Sequence, residues 1–135
     1  TACANSLAAV GLMRLSAITG NERHREFATA IVDRLAESAA RVPLGFGNLL
    51  LAAELRVLGI DEIVISGDRP DLLAEVQQRW MPRRVLTWGT PGTSPLWEGR
   101  PETGAEGRAY VCRHMVCAAP ASTVDELNER LDALG

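Results

Sequence analysis

The sequence contains no lysine, so all 14 of its basic residues are arginine. This absence excludes a lysine Schiff base and a lysine general base from any chemistry of the chain. Positive charge is also in the minority, because 17 acidic residues give a net charge of −3. There is therefore no electrostatic reason to expect binding to nucleic acid or to an anionic membrane, and neither is predicted as a partner.

Long apolar runs are missing as well. No stretch reaches the roughly 18 residues that a membrane-spanning helix needs. The chain does not open with the charged region, apolar core and cleavage site of a signal peptide. Its three cysteines are an odd number, unlike the paired cysteines of a secreted disulfide framework. The expected location is the cytoplasm.

Catalytic and cofactor motifs are not evident either. The sequence has no GxSxG, HExxH, CxxC, GxGxxG or Walker pattern, each of which would carry a specific chemistry. We therefore predict no cofactor and assign no catalytic residue. Whether the chain is an enzyme stays open, with a non-catalytic role favoured. Cys3 is a candidate nucleophile, but no partner for it can be identified.

Three helices are predicted in residues 1–59. Residues 1–19 and 48–58 are apolar nearly all round, whereas residues 22–40 have one apolar stripe and one charged face. Helices of the first kind are normally buried on several sides. The order inner, outer, inner is typical of a piece of an α/α toroid, and a plain antiparallel bundle is the alternative.

The hydrophobic period changes at residue 60. Residues 62–66 and 84–88 predict two short buried strands. The helix predicted between them completes a βαβ unit with parallel strands. Its apolar stripe consists of Leu72, Leu73, Val76 and Trp80.

A third strand is predicted at residues 109–116, after a long connection rich in glycine and proline. A closing helix follows, announced by a capping box from Thr123 to Glu126. The predicted fold is therefore α/β with two domains. Residues 1–59 form a helical hairpin and a half, and residues 60–135 form a small, mostly parallel three-stranded sheet with a C-terminal helix.

Cys112, His114 and Cys117 lie in the third predicted strand. Side chains of an unbroken strand alternate between its faces, so cysteines five residues apart point in opposite directions. A disulfide would need a bend at His114 or Met115. A metal site of Cys112, His114 and Cys117 does not have the usual ligand spacing and lacks an evident fourth ligand unless Cys3 or His24 supplies one, and no metal is predicted. We expect one or both cysteines to be small buried hydrophobic residues, with a redox pair of Cys112 and Cys117 as the alternative.

Four polar or aromatic residues are candidates for binding a small ligand at the sheet. Ser66 ends the first predicted strand and Asp68 follows it, and Trp88 and Thr90 lie in the same places at the second. Open α/β sheets bind ligands at the carboxyl ends of their strands, and a helix N-terminus there favours anions such as phosphate. The alternative is that these residues serve as turn and cap residues.

Asn5, Ser6 and Asn48 are candidates in the helical part. They lie near the starts of the first and third predicted helices. In a toroid such positions line one mouth of the central cavity, where they could bind a polar ligand such as a sugar. The alternative is that Asn5 and Asn48 are N-caps.

The chain resembles the thioredoxin-domain-containing proteins related to spermatogenesis-associated protein 20. The segment AYVCRHMVCAAP, followed by the capped helix STVDELNERL, is similar to the AYVC-x4-C-x2-P ending of that family. The resemblance extends back through the strand that ends in SGD and the segments RWMPRRVL and PLWEG. It also includes the opening ANSLAAVGLMRLSAITGNERHRE, so it covers nearly the whole chain.

The resemblance implies a larger parent protein. Members carry an N-terminal thioredoxin-like domain, then a helical toroid of the six-hairpin glycosidase and N-acylglucosamine-epimerase type, then a small α/β portion. This chain would be a C-terminal fragment of such a protein, not catalytic alone. Its expected partner is the missing remainder of the parent, or a second copy bound through the apolar inner helices. A small carbohydrate ligand is compatible with such a parent.

Overall fold

The structure is a computed structural model that describes residues 4–101, 106–114 and 116–135. The chain divides into two compact units, one ending at Ile60 and the other beginning at Asp61. Helices dominate the first unit, and the second combines helices with a small sheet. The predicted α/β class is confirmed.

The first unit contains helices α1 (Ala4–Thr19), α2 (Glu22–Arg41) and α3 (Gly47–Leu58). A short 3-10 helix, Pro43–Gly45, precedes α3. Helix α2 begins after Asn21, whose side chain accepts a hydrogen bond from the Arg23 N–H. This cap satisfies one of the N–H groups that the first helical turn leaves without a partner.

One core holds the three helices together. It combines small and large apolar side chains, among them Ala9, Met13, Ala28, Leu49, Ala52 and Leu55. Other large apolar residues of α1 and α3 lie on the surface of the unit, namely Leu7, Leu15, Ile18, Leu50, Val57 and Leu58. Both helices are therefore apolar on more sides than this unit covers.

The second unit contains strands β1 (Asp61–Ser66), β2 (Arg84–Gly89), β3 (Ala109–Arg113) and β4 (Val116–Cys117). Helix α4 (Pro70–Gln78) connects β1 to β2, and helix α5 (Val124–Asp132) follows the sheet. The capping box at the start of α5 is present, with Thr123 and Glu126 each accepting a backbone N–H. The Glu126 carboxyl accepts hydrogen bonds from the N–H groups of Ser122 and Thr123, and both lower its pKa, the bond from Ser122 more strongly.

The strands lie in the order β2-β1-β3-β4. β1 and β2 are parallel, as the βαβ pattern predicts, but β3 is antiparallel to β1 and β4 is antiparallel to β3. The predicted sheet, three-stranded and mostly parallel, is therefore wrong in the number and the direction of its strands. The backbone at His114 has a φ of 51°, which turns the chain back and makes a hairpin of the single strand predicted at residues 109–116.

The two faces of the sheet have different roles. On one face, Ile63, Ile65 and Val111 pack against apolar residues of α4 and α5. Because strand side chains alternate, Glu62 and Cys112 project from the opposite face. Trp80 belongs to neither face, since α4 ends at Gln78 and the side chain is 90% exposed. Its predicted place in the stripe of that helix is wrong.

Candidate functional site

Cys112 and Cys117 are joined by a disulfide bond. They lie directly opposite each other on β3 and β4, with their Cα atoms 4.0 Å apart. The expectation that Cys112 and Cys117 lie unpaired on opposite faces of one strand is therefore wrong, although Cys112 is buried as expected. Residues paired across antiparallel strands project to the same side of the sheet, and the turn at His114 creates that pairing. Met115, the other predicted bend, lies outside the described residues.

The two ends of the disulfide differ in their access to solvent. Cys112 is 1% exposed and lies on β3, which has a neighbouring strand on each side. Cys117 is exposed and lies on β4, the edge strand. The side of the disulfide that lies closer to solvent is therefore that of Cys117.

Arg100 places a positive charge beside both sulfur atoms. Its Nη2 lies 2.9 Å from Cys112 Sγ and 3.3 Å from Cys117 Sγ. The guanidinium also donates a hydrogen bond to the Leu96 carbonyl and lies 5.6 Å from the centroid of the Tyr110 ring. Leu96 is itself buried, so these contacts fix the position of the guanidinium.

Glu62 lies across from Cys112 in the pairing of β1 with β3. Burial raises the pKa of the Glu62 carboxyl, and the charges of Arg100 and His114 oppose part of that increase. A disulfide, a guanidinium and a carboxyl with increased proton affinity therefore meet on the sheet face opposite α4 and α5. Perturbed titrating groups of this kind are typical of functional sites.

The four candidates at the carboxyl ends of β1 and β2 lie close together, but one of them, Ser66, is buried in the fold. Ser66 pairs with Gly89 across β1 and β2. Asp68 and Thr90, which follow the two strands, and Trp88, near the end of β2, therefore lie at the same end of the sheet. Those three residues are exposed, whereas Ser66 is fully buried. The Ser66 hydroxyl accepts a hydrogen bond from the Arg108 N–H at 3.2 Å, which favours a structural role for this serine.

Arg69 fixes the turn between β1 and α4. Its guanidinium donates to both carboxylate oxygens of Asp71, at 2.9 and 2.7 Å. It also donates to the carbonyls of Gly107 and Ser122, at 2.6 and 2.9 Å. The hydrogen bonds from Arg69 lower the pKa of Asp71. These contacts tie the turn to the segments before β3 and α5, so its polar groups serve the fold.

The candidates in the helical unit are not brought together by hydrogen bonds within the described residues. Asn5 is exposed, and Ser6 is buried with no hydrogen-bond partner for its hydroxyl in the described part of the chain. Asn48 is the second residue of α3, whose N-cap is Phe46. The alternative role of Asn48 as an N-cap is therefore wrong. Cys3 lies outside the described residues.

The described residues contain no group of three or more His, Cys, Asp or Glu side chains that could hold a metal ion. In the same ranges, no helix combines the length and the apolar character that crossing a membrane requires.

Sequence reasoning missed Glu62 and Arg100. Glu62 carried a weak signal, because it is the polar residue that opens an otherwise apolar strand. Arg100 carried none, since it precedes Cys112 by 12 residues in sequence and reaches the sulfur atoms through the fold of the connection.

An α/β unit with a disulfide between adjacent strands is the class of structure that these observations define. In sequence, the chain is similar to spermatogenesis-associated protein 20 of Homo sapiens, with 28% identity over 140 residues. The match covers 95% of this chain and 18% of the relative, so the chain spans about a fifth of that protein's length. No family model matches the chain. No solved structure matches it.

Proposed function

We propose that this chain is part of a thioredoxin-domain-containing protein and that residues 61–135 form a thiol–disulfide exchange module. The observation that carries the proposal is the Cys112–Cys117 disulfide with the Arg100 guanidinium on both sulfur atoms. A positive charge beside a cysteine favours its thiolate, which is the form that takes part in exchange. Exposed disulfides are also the ones that partners reduce most readily.

The partner in this exchange is a protein dithiol. Its first thiolate attacks one sulfur of the Cys112–Cys117 bond, forms a mixed disulfide and expels the other cysteine as a thiolate. Its second thiolate then attacks the mixed disulfide and releases the first cysteine. Two electrons pass from the partner, which becomes a disulfide, to Cys112 and Cys117. The two protons lost by the partner's thiols are balanced by protonation of the two cysteines from solvent.

The similarity to spermatogenesis-associated protein 20 supports this choice of partner. The family that the chain resembles carries a thioredoxin-like domain, which is a source of such a dithiol. A toroid and a carbohydrate ligand of the parent stay predictions of the resemblance, and Asn5, Ser6 and Asn48 stay candidates for that ligand.

The exchange function predicts that the disulfide is reduced reversibly while the fold is retained. The protein, carrying Cys3→Ser, is equilibrated in buffers of defined thiol–disulfide ratio, and free thiols are counted by alkylation and mass spectrometry. A dithiol of the thioredoxin class reduces the Cys112–Cys117 bond only if the midpoint reduction potential of that bond lies near or above about −270 mV. We expect a midpoint potential in this range and a circular dichroism spectrum that does not change on reduction.

The matched control is Cys117→Ser, which cannot form the bond and should show no redox step. A midpoint reduction potential below about −300 mV, the range of inert structural disulfides, would contradict the proposed function. A disulfide that is reduced only when the protein is unfolded in urea would also contradict it.

A second candidate function is structural and rests on the first unit. Large apolar side chains of α1 and α3, including Leu15 and Val57, are exposed there. Several exposed large apolar residues on the same two helices favour an interaction site there. We propose that α1 and α3 pack against helices of the parent that lie outside this chain.

The structural role predicts that the isolated chain associates with itself. Light scattering should give a mass above the 14.5 kDa of one chain, and an apolar dye should bind. Leu15→Gln should reduce both effects because it places a polar group in the exposed stripe, whereas Glu26→Gln, on the charged face of α2, should leave both unchanged. A monomer that binds no dye would rule this role out.

A further inference from the structure

The geometry points to a direction for the exchange: the incoming thiolate attacks Cys117, and Cys112 leaves as a thiolate that Arg100 stabilises. This inference rests on the proposed exchange function and adds the attacked atom, the leaving atom and a positioning residue. In atoms, a bond forms between the incoming sulfur and Cys117 Sγ while the Cys112–Cys117 bond breaks. The electron pair of the broken bond stays on Cys112 Sγ.

Access decides which sulfur is attacked. Cys117 lies on the two-residue edge strand β4, where its neighbour Val116 is also exposed. Cys112 is buried on β3, between β1 and β4. In thiol–disulfide exchange the attacking, attacked and leaving sulfur atoms lie nearly in a line. A thiolate that attacks Cys117 Sγ therefore approaches from the side away from Cys112, where β4 borders solvent. An approach to Cys112 would require the protein around β3 to open first.

Charge decides which sulfur leaves. Arg100 Nη2 is closer to Cys112 Sγ, at 2.9 Å, than to Cys117 Sγ, at 3.3 Å. A guanidinium in contact with a sulfur favours its ionised form, and a leaving thiol of lower pKa departs faster. The contacts of Arg100 with Leu96 and Tyr110 hold the charge in position, so little reorganisation is needed when the thiolate forms.

Other charged groups around Cys112 do not replace Arg100. Glu62 faces Cys112 from β1, and its negative form would oppose a thiolate. Burial raises the pKa of the Glu62 carboxyl, which widens the pH range in which this group is neutral. His114, in the turn after β3, also interacts electrostatically with the Glu62 carboxyl and lowers its pKa. The neighbouring Arg113 is engaged by Asp61, at 2.6 Å.

The attacked sulfur is identified by mapping the first intermediate. The oxidised protein with Cys3→Ser is treated briefly with glutathione, quenched in acid and alkylated with N-ethylmaleimide, and its peptides are analysed by mass spectrometry. We expect glutathione on Cys117 and maleimide on Cys112 in about tenfold excess over the reverse pattern, as expected when one sulfur is accessible and the other is not. An equal or reversed distribution would overturn the assignment.

The role of Arg100 is measured on a free thiol. In protein with Cys3→Ser and Cys117→Ser, the carbon-13 shift of the Cys112 Cβ is followed against pH with and without Arg100→Gln. We expect the substitution to raise the Cys112 pKa by one unit or more, a tenfold change in ionisation. In the disulfide-bonded protein it should slow reduction by about threefold. Arg100→Lys should restore part of both effects because it keeps the charge.

Arg108→Gln is the matched control, because it removes an exposed positive charge from the same unit and should leave the Cys112 pKa unchanged. An unchanged pKa in Arg100→Gln, in a protein whose circular dichroism shows that it is folded, would refute the role of Arg100. This measurement does not require the disulfide to cycle. Failure of the arginine role and failure of the exchange function are therefore distinguishable.

Discussion

Replacing Gly107 with alanine is expected to destabilise residues 61–135 by about 3 kcal/mol or more, beyond the usual cost of overpacking. A Cβ atom at this position would lie 1.9 Å from the Ser66 carbonyl oxygen and 2.8 Å from its carbon. Both atoms belong to the backbone, so no side-chain rotation can relieve the overlap.

The surroundings of Gly107 prevent the backbone from yielding. Ser66 is fully buried at the end of β1, and its N–H donates to the Arg108 carbonyl at 2.9 Å. The Gly107 carbonyl accepts a hydrogen bond from Arg69 at 2.6 Å. A methyl group at residue 107 would force either Ser66 or the segment before β3 to move, and the movement would break these hydrogen bonds. Buried polar groups that lose their partners cost free energy.

Urea unfolding followed by tryptophan fluorescence and circular dichroism measures the loss. Gly92→Ala is the matched control in the same unit, because a Cβ there would meet the Trp97 ring at 3.8 Å, which is ordinary contact. The free energy of unfolding of Gly92→Ala should stay within about 0.5 kcal/mol of that of the unsubstituted chain. A Gly107→Ala protein as stable as Gly92→Ala would show that the close approach of residue 107 to Ser66 is absent in solution.

Periodicity predicted most of the elements because burial imposed it. The charged and apolar faces of α2, and the apolar run of β1, match the side-chain periods of a helix and of a buried strand. The capping box of α5 was readable because it depends on residues three apart in sequence. Features of this kind are local, so the sequence carries them directly.

The hairpin of β3 and β4 was missed because its turn has no recognisable signal. Two-residue hairpin loops favour Asn-Gly or Asp-Gly, which adopt positive φ at low cost, whereas this chain has His114 and Met115 between its paired residues. Without that turn, alternation places Cys112 and Cys117 on opposite faces. One non-glycine residue with φ of 51° therefore changes the interpretation from two packing residues to a disulfide.

The charged parts of the site depend on tertiary contacts. Arg100 reaches Cys112 and Cys117 because Leu96 buries the middle of the long connection. Arg69 reaches Gly107 and Ser122, which are 38 and 53 residues away in sequence. No spacing rule relates residues so distant, so these contacts could not be predicted from one sequence.

Replacing Asp61 with asparagine should destabilise the same unit by about 3 kcal/mol, the lower end of the cost of breaking a buried ion pair. The Asp61 side chain is 5% exposed and accepts a hydrogen bond from Arg113 Nε at 2.6 Å. Arg83 Nε lies 4.0 Å from its other oxygen. Asp61 therefore balances positive charge on both sides of β1. Asparagine keeps the shape and removes the charge, leaving arginines in a poorly solvated place.

Asp132→Asn is the matched control, because Asp132 pairs with Arg79 at the same 2.6 Å distance but is 71% exposed. Water solvates the groups of such a pair after it is broken, so the loss should be below about 1 kcal/mol. Equal losses in the two variants would contradict a stabilising role for burial at Asp61. Combining Asp61→Asn with Arg113→Gln should cost less than the sum of the single changes, because the second change removes the charge that the first leaves uncompensated.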